Sequence, residues 1–481
     1  MSSDVTVRLQ SSPLTTEGAD RPEAAPAVSL DAPEAFFNRE LSWLSFARRV
    51  LALVETASLP LLERVQFAGI SGMLHDEFFM KRVSGLKRQI RRGSAKRSPD
   101  GRTPAEEFEA CRRELADQMA RMAAVVEQEL RPALEHHGIG ILDYRRLEAD
   151  QRDTLRQYFE QSVLPILTPL TVDPEHPFPF ISSLGLNLAV LVPDDERGRG
   201  RFVRIKVPNN RPRWVPLPHG AGFTPLEQVI AHNLDLLYPT APPREVHLFR
   251  VTRGAEGERT EEVRDDAAAD EPGGIVEQVS KELKARRFAG VVRLQVDAGM
   301  PQDLTAFLAR QLGIGPEDVY PTHTFLGLND LVQYRISGHD DLRLAAHEPV
   351  THPRLKGLGD EPGAIFAAIR AGDILLHHPY HGFDTSVLRF IESAARDPQV
   401  LAIKLTIYRT SSDSPIVRAL ADAARHGKQV AVLVEITARF DEAPNIAWGK
   451  YLETEGVHVA YGVEDLKTHV KLALVVREEE G

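Results

Sequence analysis

Short apolar runs alternate with amphipathic stretches from residue 400 onward, and this alternation restricts the fold more than any other feature of the sequence. Ile403, Leu405 and Ile407 indicate a strand that ends at Arg409, and residues 430–436 indicate a second, buried strand. A stretch of helical length follows each strand. A chain that alternates strands and helices with short connections forms a parallel sheet with right-handed crossovers.

The remaining elements of this region fit the same architecture. One helix is predicted from about Pro415 to a stop at Gly427, and another ends at Gly456, because glycine commonly terminates helices. Short strands follow at residues 457–461 and 470–476. The whole region therefore predicts an α/β domain built on a parallel sheet.

Changes of composition and period divide the chain into four segments. Residues 1–30 are rich in Ser, Thr, Ala, Pro and acidic groups, which predicts a disordered tail. Residues 31–135 carry apolar side chains at helical spacing, and residues 136–355 mix helices with alternating strands. Residues 356–481 hold the α/β region. The predicted fold class is multidomain α/β, with a helical N-terminal domain, an α+β head domain and a C-terminal α/β domain.

The clearest single helix start lies in the helical domain. Thr103 is placed as an N-cap, Pro104 occupies the first helical position, and Glu106 stands three residues after the cap. Apolar side chains then recur at steps of three and four up to Pro132. Cys111 lies on this stripe, so we expect a buried structural thiol.

Composition excludes several classes of protein and of site. The 481 residues carry 58 Lys and Arg against 69 Asp and Glu, a net charge of -11, so polyanions must be bound by a local basic cluster and nucleic acid is not an expected partner. A single cysteine permits neither an internal disulfide nor a four-cysteine zinc site, which fits a reducing cytoplasm. The sequence has no run of about 18 apolar residues and no secretion signal, so we expect no membrane span.

His469-Val470-Lys471 is the sharpest candidate for chemistry. The pattern lies at the start of the last predicted strand, where side chains two residues apart share a face. An imidazole beside an ammonium suits nucleophilic attack on phosphorus next to a cation that offsets phosphate charge. The alternative is a surface histidine near a solvated lysine, since so short a pattern arises often.

Two arginines support the catalytic alternative. Ligands bind beyond the carboxyl ends of parallel strands, and Arg409 and Arg439 each follow a buried strand of the predicted sheet. Planar guanidinium groups bind phosphate oxygens in pairs. Two such arginines near a His-Lys pair indicate a polyanion site.

Two further clusters of basic and histidine residues have plainer interpretations. Lys87 to Arg92, with Lys96 and Arg97, could hold a phosphate chain, although a solvated helix end or loop is the commoner role of such a run. His377-His378 before Pro379 lacks a neighbouring Asp or Glu at ligand spacing, so metal binding is not expected there. The sequence contains no Walker loop and no Rossmann glycine motif.

Several segments resemble the polyphosphate kinase family of the histidine-phosphorylated type, and the match is colinear from about residue 36 to the C-terminus. The matching segments are Phe37-Asn38-Arg39-Glu40-Leu41-Ser42-Trp43-Leu44-Ser45-Phe46, Asp76-Glu77-Phe78-Phe79, His176-Pro177-Phe178-Pro179-Phe180-Ile181-Ser182, His377-His378-Pro379-Tyr380, Tyr408-Arg409-Thr410, Ala438-Arg439-Phe440-Asp441-Glu442 and Leu466-Lys467-Thr468-His469-Val470-Lys471. The resemblance implies a phospholipase-D-like fold for the catalytic domain. It also implies reversible transfer of the terminal phosphate of ATP to inorganic polyphosphate through a phosphohistidine.

Carried over residue by residue, the resemblance makes His469 the phosphorylated nucleophile, with Lys471 beside it. Arg409 and Arg439 match the family positions that contact the magnesium-phosphate assembly. A guanidinium has no lone pair for a metal, so we expect both arginines to contact phosphate and Mg²⁺ to be held by phosphate oxygens and water. ATP or ADP and polyphosphate are the expected substrates.

Two features depart from the family pattern. Leu74 stands where the family usually has an adenine-holding Asn, two residues before the Asp-Glu-Phe-Phe motif, and a leucine cannot hydrogen-bond the edge of a base. The family continues beyond the His469 strand through the rest of this domain and a second phospholipase-D-like domain. Because the sequence ends at Gly481, we expect an incomplete first catalytic domain and a C-terminally truncated chain.

Three functions remain open at this point. The first is polyphosphate kinase activity, and the second is a catalytically incomplete relative that binds polyphosphate without turnover. The third is a phospholipase-D-like phosphodiesterase, which is disfavoured because Val476 stands where that superfamily has an Asp after its His-x-Lys pair. We further expect a cytoplasmic protein that forms a homo-oligomer.

Overall fold

The architecture was obtained as a computed structural model. It describes residues 29–172, 178–193, 200–243, 245–255, 276–277, 280, 288–410, 413–438, 441–462 and 466–479. Within these ranges, every helix is too short or too polar to cross a bilayer. The predicted tail at residues 1–30 lies almost wholly outside the described residues, which begin at Ser29.

A helical unit forms the first part of the fold. Its helices are α1 (Arg39–Glu55), α2 (Leu61–Phe78), α3 (Ser84–Arg91), α4 (Pro104–Val125) and α5 (Arg131–His136). The next helix, α6 (Ala149–Tyr158), packs through Leu155 in the core of the following unit. The capping box at Thr103 and Glu106 is present as predicted. Pro132 does not end the helical path, since a π-turn at Val126–Leu130 leads into α5, where Pro132 occupies the first turn.

The single cysteine is buried in this unit. Cys111 on α4 has no exposed surface and packs with Phe79 and Leu115. Burial raises the pKa of its thiol to about 12. The thiol is therefore protonated at neutral pH, which confirms its predicted place on the buried stripe of the helix.

The head unit is built on a mixed sheet. Its strands are β1 (Leu170–Val172), β2 (Leu186–Val192), β3 (Arg201–Lys206), β6 (Glu245–Arg253), β7 (Val291–Asp297) and β8 (Val319–Thr322), in the order β1-β3-β2-β6-β7-β8. A hairpin of β4 (Trp214–Pro216) and β5 (Phe223–Pro225) precedes α7 (Leu226–Ala231). The sheet is antiparallel except for β7 and β8, which α8 (Gln302–Leu312) connects in parallel.

Helix α2 approaches the head unit at backbone contact distance. A Cβ added to Gly69 or Gly72 would lie 2.6 Å from the backbone nitrogen of Val332 or Asn329. Only residues without a side chain fit this interface, so the two glycines set the distance between α2 and the 3-10 segment Leu328–Gln333. The same face of α2, one turn later, carries Asp76.

Asp76 forms a buried ionic contact between the helical and head units. Its two carboxylate oxygens accept from both terminal nitrogens of Arg250 at 2.8 and 2.5 Å, and one of them also pairs with Arg293. Both arginine side chains are about 1% exposed. Burial alone would raise the pKa of Asp76, but the attraction and hydrogen bonds of the two guanidinium groups lower it to about 2.

The C-terminal unit is a four-stranded sheet with helices packed on it. Its elements are α9 (Gly363–Arg370), α10 (Arg389–Arg396), β9 (Val400–Ile407), α11 (Pro415–Arg425), β10 (Gln429–Val434), α12 (Glu442–Thr454), β11 (His458–Tyr461) and β12 (Ala473–Arg477). The strand order is β11-β10-β9-β12. The first three strands are parallel, as predicted, and Ile407, Val434 and Tyr461 lie level at their carboxyl ends.

The last strand differs from the prediction of an all-parallel sheet. β12 runs antiparallel to β9, on the opposite side of the sheet from β11. The chain reaches it without a helix that returns to the amino ends of the strands, because residues 466–472 lie along the carboxyl ends of β10 and β9. We call residues 466–472 the crossing segment. The strand also begins at Ala473, so His469 and Lys471 precede it.

The buried ionic contact gives the first testable prediction. Asp76→Asn keeps the shape of the side chain but leaves Arg250 and Arg293 without a counter-charge. We expect the free energy of unfolding to fall by about 3–5 kcal/mol, the usual cost of breaking a buried ion pair from one side. Urea unfolding followed by circular dichroism measures this. Asp150→Asn, at an exposed position on α6, is the control and should change stability by less than about 0.5 kcal/mol. Equal effects of the two substitutions would contradict a stabilising role for Asp76.

Candidate functional site

The candidate site lies where β9 and β10 end. Tyr408 and Arg409 follow β9 directly, and residues 435–438 follow β10. The crossing segment lies over both strand ends and carries His469 and Lys471. Polar residues from three separate parts of the chain therefore meet at one edge of the sheet, as expected for a parallel arrangement.

The ring of Tyr408 is the centre of this group. The His469 imidazole packs edge-on against it, with ring centroids 4.7 Å apart at 75°. The Lys471 ammonium lies 4.2 Å from the ring centroid, and the Arg409 guanidinium carbon lies 5.7 Å from it. Cations are attracted to the face of an aromatic ring, so Tyr408 holds two positive charges beside the histidine.

His469, Lys471 and Arg409 are all exposed to solvent. Lys471 Nζ donates to the backbone carbonyl of His469, two residues earlier, at 2.5 Å. Among the residues described, no carboxylate contacts the Lys471 ammonium. Arg409 Nε pairs with Asp441 Oδ2 at 2.5 Å. The site is an open, positively charged surface on which an anionic ligand can displace solvent.

A buried carboxylate fixes the crossing segment from below. Glu435 is 1% exposed, and its Oε2 accepts from the backbone N–H of Thr468 at 2.7 Å. Its Oε1 accepts from the backbone N–H of Thr437 at 2.8 Å and from the Thr437 hydroxyl. The carboxylate thus links the end of β10 to the residue that precedes His469.

Thr406 holds the other side of the same segment. Its hydroxyl donates to the Val470 carbonyl at 2.7 Å and accepts from the Leu472 N–H at 2.9 Å. Its backbone N–H donates to the Leu472 carbonyl at 3.0 Å. The backbone on both sides of His469 is therefore hydrogen-bonded to strand ends, while the imidazole itself stays accessible.

Asn445 on α12 connects the two strand ends beneath the site. Its fully buried side-chain amide donates to the backbone carbonyls of Tyr408 and Glu435, at 2.8 Å each. Both carbonyls lie past the last ladder pair of β9 and β10, where no neighbouring strand supplies a donor. The asparagine therefore fixes the spacing between the residues that carry the site.

The structure brings together three of the four predicted site residues. His469, Lys471 and Arg409 surround Tyr408, whereas Arg439 lies outside the described residues. Leu74 is a half-buried residue of α2 and belongs to the helical unit.

The two secondary clusters are engaged in local contacts. Lys87 pairs with Asp318 of the head unit, whose side chain is fully buried, and Arg97 donates to the Gly101 carbonyl at 2.6 Å. The basic run is therefore divided between an interdomain contact and a loop. The His378 ring lies 2.9 Å, through Nδ1, from the His381 carbonyl.

No group of three or more His, Cys, Asp or Glu side chains suited to a metal ion occurs in the part of the chain that the structure describes. Two described carboxylates of this site are already engaged, Asp441 by Arg409 and Glu435 by the backbone N–H groups of Thr437 and Thr468. These residues do not form the oxygen-rich ligand set that Mg²⁺ requires. A magnesium ion at this site would be held by the ligand's own oxygens.

Sequence reasoning missed Glu435, Thr406 and Asn445. Each is a polar residue next to or within an apolar run, a pattern that is also typical of an exposed position on a strand or a helix. For Glu435 a usable signal exists, because it stands between Val434 and Ile436 in a predicted buried strand, where an acidic residue is unusual unless its side chain has partners. For Thr406 and Asn445 the role depends on tertiary contacts that no local pattern shows.

Comparison with known proteins gives consistent matches along the chain. Family models match at residues 36–142 (Polyphosphate kinase N-terminal domain), 150–334 (Polyphosphate kinase middle domain) and 364–481 (Polyphosphate kinase C-terminal domain 1). Polyphosphate kinases of Mycobacterium avium and Mycobacterium tuberculosis are 47% and 46% identical to the chain over 95% of its length. The chain spans 63% of the length of these relatives.

The fold is also similar to that of a solved structure. The crystal structure of polyphosphate kinase from Porphyromonas gingivalis superimposes with a TM-score of 0.75 at 26% sequence identity. The match covers 93% of this chain and 62% of that protein.

The asparagine beneath the site gives a prediction about stability. Asn445→Leu preserves volume but removes both donors, so the carbonyls of Tyr408 and Glu435 lose their partners in a largely buried place. We expect the free energy of unfolding to fall by about 1–3 kcal/mol. Thermal and urea unfolding measure the loss, with Asn209→Leu in an exposed turn as the control. An unchanged stability would show that Asn445 does not hold the strand ends.

Proposed function

The chain belongs to the polyphosphate kinase family, and from this premise we propose that it supplies the phosphohistidine site for reversible transfer of the terminal phosphate of ATP to inorganic polyphosphate. The observation that carries the proposal is the grouping of an exposed imidazole with two cations on one aromatic ring. His469, Lys471 and Arg409 share Tyr408 as their common contact.

The proposed first step is attack by a neutral ring nitrogen of His469 on the γ-phosphorus of ATP. An N–P bond forms, the bond from the γ-phosphorus to the bridging oxygen breaks, and ADP leaves with the electron pair. A neutral imidazole has a free lone pair, so no general base is needed at this stage. In the second step a terminal oxygen of polyphosphate attacks the same phosphorus, and the N–P bond breaks.

Lys471 and Arg409 are proposed to offset the charge of the phosphoryl group during both steps. Fixed cations beside a transferring phosphoryl group stabilise its transition state. Lys471 is held against Tyr408 without a carboxylate partner among the described residues, so its charge is available. Arg409 would exchange its contact with Asp441 for phosphate oxygens, which its planar group can bind in pairs.

Arg439 is proposed as a second phosphate-binding arginine, from its place in the family motif. Mg²⁺ is proposed to enter with the nucleotide, bound to phosphate oxygens and water, where it would neutralise phosphate charge. The residue at position 74 is apolar, so α2 is proposed to contribute at most packing to the adenine. Cytoplasmic location and homo-oligomeric assembly remain predictions from the sequence.

Phosphate binding without turnover is the second candidate. It is favoured by one observation: Lys471 and Arg409 present their charges at the exposed surface around Tyr408, where they would hold a polyphosphate chain whether or not a phosphoryl group moves to His469. A phosphodiesterase function has less support, because Val476 is an apolar, partly exposed residue that cannot transfer a proton.

Phosphorylation of His469 is the direct test. Incubation with γ-labelled ATP and Mg²⁺ should leave acid-labile, base-stable label on His469, located by peptide mass spectrometry. His469→Ala should remove the label, whereas the control His458→Ala, an exposed histidine on β11, should retain it. Label that persists in the His469 variant would refute this residue as the nucleophile. Polyphosphate binding without any label in the unaltered protein would favour the second candidate.

Arg409→Lys separates phosphate binding from folding. The substitution keeps the charge but removes the planar group, so phosphoryl transfer should fall at least about tenfold, or about 1.4 kcal/mol in the barrier. The melting temperature should barely change, because the Arg409 side chain is 57% exposed. The matched control is Arg418→Lys, which alters a similarly exposed Arg-Asp pair in the same unit. Parallel losses of activity and melting temperature would instead indicate a structural ion pair.

A further inference from the structure

We propose that Glu435 and Thr406 are positioning residues that fix the backbone on both sides of His469 and thereby set the direction of its imidazole. This inference rests on the proposed phosphohistidine function. It adds two residues to the reaction that touch neither the phosphate nor the histidine ring. Their role is exerted through the crossing segment.

The carboxylate of Glu435 has the properties of a dedicated backbone acceptor. It is 1% exposed, and every hydrogen bond that it accepts from the described residues comes from a neutral N–H or O–H group. A buried carboxylate is costly unless it is hydrogen-bonded or paired. Here one oxygen is fixed by Thr437 of its own loop, and the other is left for the N–H of Thr468. One oxygen of this buried carboxylate therefore serves a single contact, with the backbone of the residue before His469.

Thr406 provides the matching contact on the far side. Its hydroxyl both donates to the Val470 carbonyl and accepts from the Leu472 N–H, which uses its donor and one of its acceptor positions on the crossing segment. Residues 468 and 470 are therefore both tied to strand ends, one to β10 and one to β9. The peptide group before Thr468 and the peptide group after Val470 are thereby held, which restricts the short stretch 468–470 that carries His469.

This fixation matters because little else constrains the imidazole. The His469 side chain is exposed, and its described ring contact is the edge-on packing with Tyr408. An in-line attack on phosphorus requires the nitrogen close to the phosphorus and opposite the leaving oxygen. A backbone that moved by about 1 Å would reduce the fraction of time spent in that geometry, and displacements of this size can cost about a hundredfold in rate.

The chemistry of the contact explains why a carboxylate is used. Both oxygens of Glu435 face N–H or O–H donors. A glutamine of the same length would present an NH₂ group to one of these donors, and the two hydrogen-bond donors would repel each other. The N–H of Thr468 or of Thr437 would then be left without an acceptor.

The test is single-turnover phosphorylation of His469 in Glu435→Gln and in the control Glu361→Gln, an exposed acid of the same unit. We expect the rate constant at saturating ATP to fall about tenfold to a hundredfold in the Glu435 variant. The ATP concentration for half-saturation should change by less than about twofold, since the variant keeps every group proposed to contact phosphate. Glu361→Gln should match the unaltered protein.

The outcomes distinguish this inference from the proposed function. If the unaltered protein shows no label on His469, the proposed function fails. If it is labelled and Glu435→Gln is labelled at the same rate, the positioning role is wrong. A lower melting temperature, together with a lower rate constant and an equally raised ATP concentration for half-saturation, would indicate a purely structural role.

Should Glu435→Gln fail to fold, Thr406→Val tests the opposite contact at a half-buried position. It should slow labelling without changing half-saturation, and an unchanged rate would overturn the inference.

Discussion

The hydrogen-bonded register of three parallel strands is the constraint on which the candidate site depends. Because Ile407, Val434 and Tyr461 lie level, the residues that follow β9 and β10 emerge side by side at one edge. A single buried amide, Asn445, then holds the two exits at a fixed spacing. No further long-range contact is required to bring together Tyr408, Arg409 and Glu435. Their meeting follows from the parallel ladder and from the place where each strand stops.

The crossing segment turns this edge into a site. Had the chain returned through another helix, the last strand would be parallel and His469 would lie at the amino end of the sheet, far from Arg409. The chain instead passes along the carboxyl ends of β10 and β9, and β12 begins on that side of the sheet, antiparallel to β9. The reversed strand is thus what places the histidine, the lysine and the arginine around one tyrosine ring. The antiparallel direction of β12 and the grouping of these side chains therefore both result from the path of the crossing segment.

Sequence patterns predicted the elements of this unit and the residue types of the site, and their limits have physical reasons. Period-two alternation and glycine stops located β9, β10 and the helix that follows each of them, because those signals are local. The direction of β12 was not predicted correctly, because the apolar pattern of an edge strand is the same in a parallel and in an antiparallel pairing. Glu435 and Thr406 were missed because their partners lie more than 30 residues away. The contact of Asp76 with Arg250 and Arg293 escaped for the same reason, although the motif containing Asp76 was recognised.

The proposed role of His469 as a nucleophile requires both an exposed imidazole and a fixed backbone, and this edge of the sheet provides both. Accessibility requires that the imidazole not be buried, so side-chain packing cannot orient it fully. The orienting contacts must then come from the main chain, where hydrogen bonds to Thr468 and Val470 can be satisfied below the surface without covering the ring. The entropic cost of ordering the segment is met during folding, before any ligand arrives. Under the proposed function, a site arranged in this way would admit a polyanion of variable length, because the backbone around the imidazole is fixed and the shape of a pocket is not.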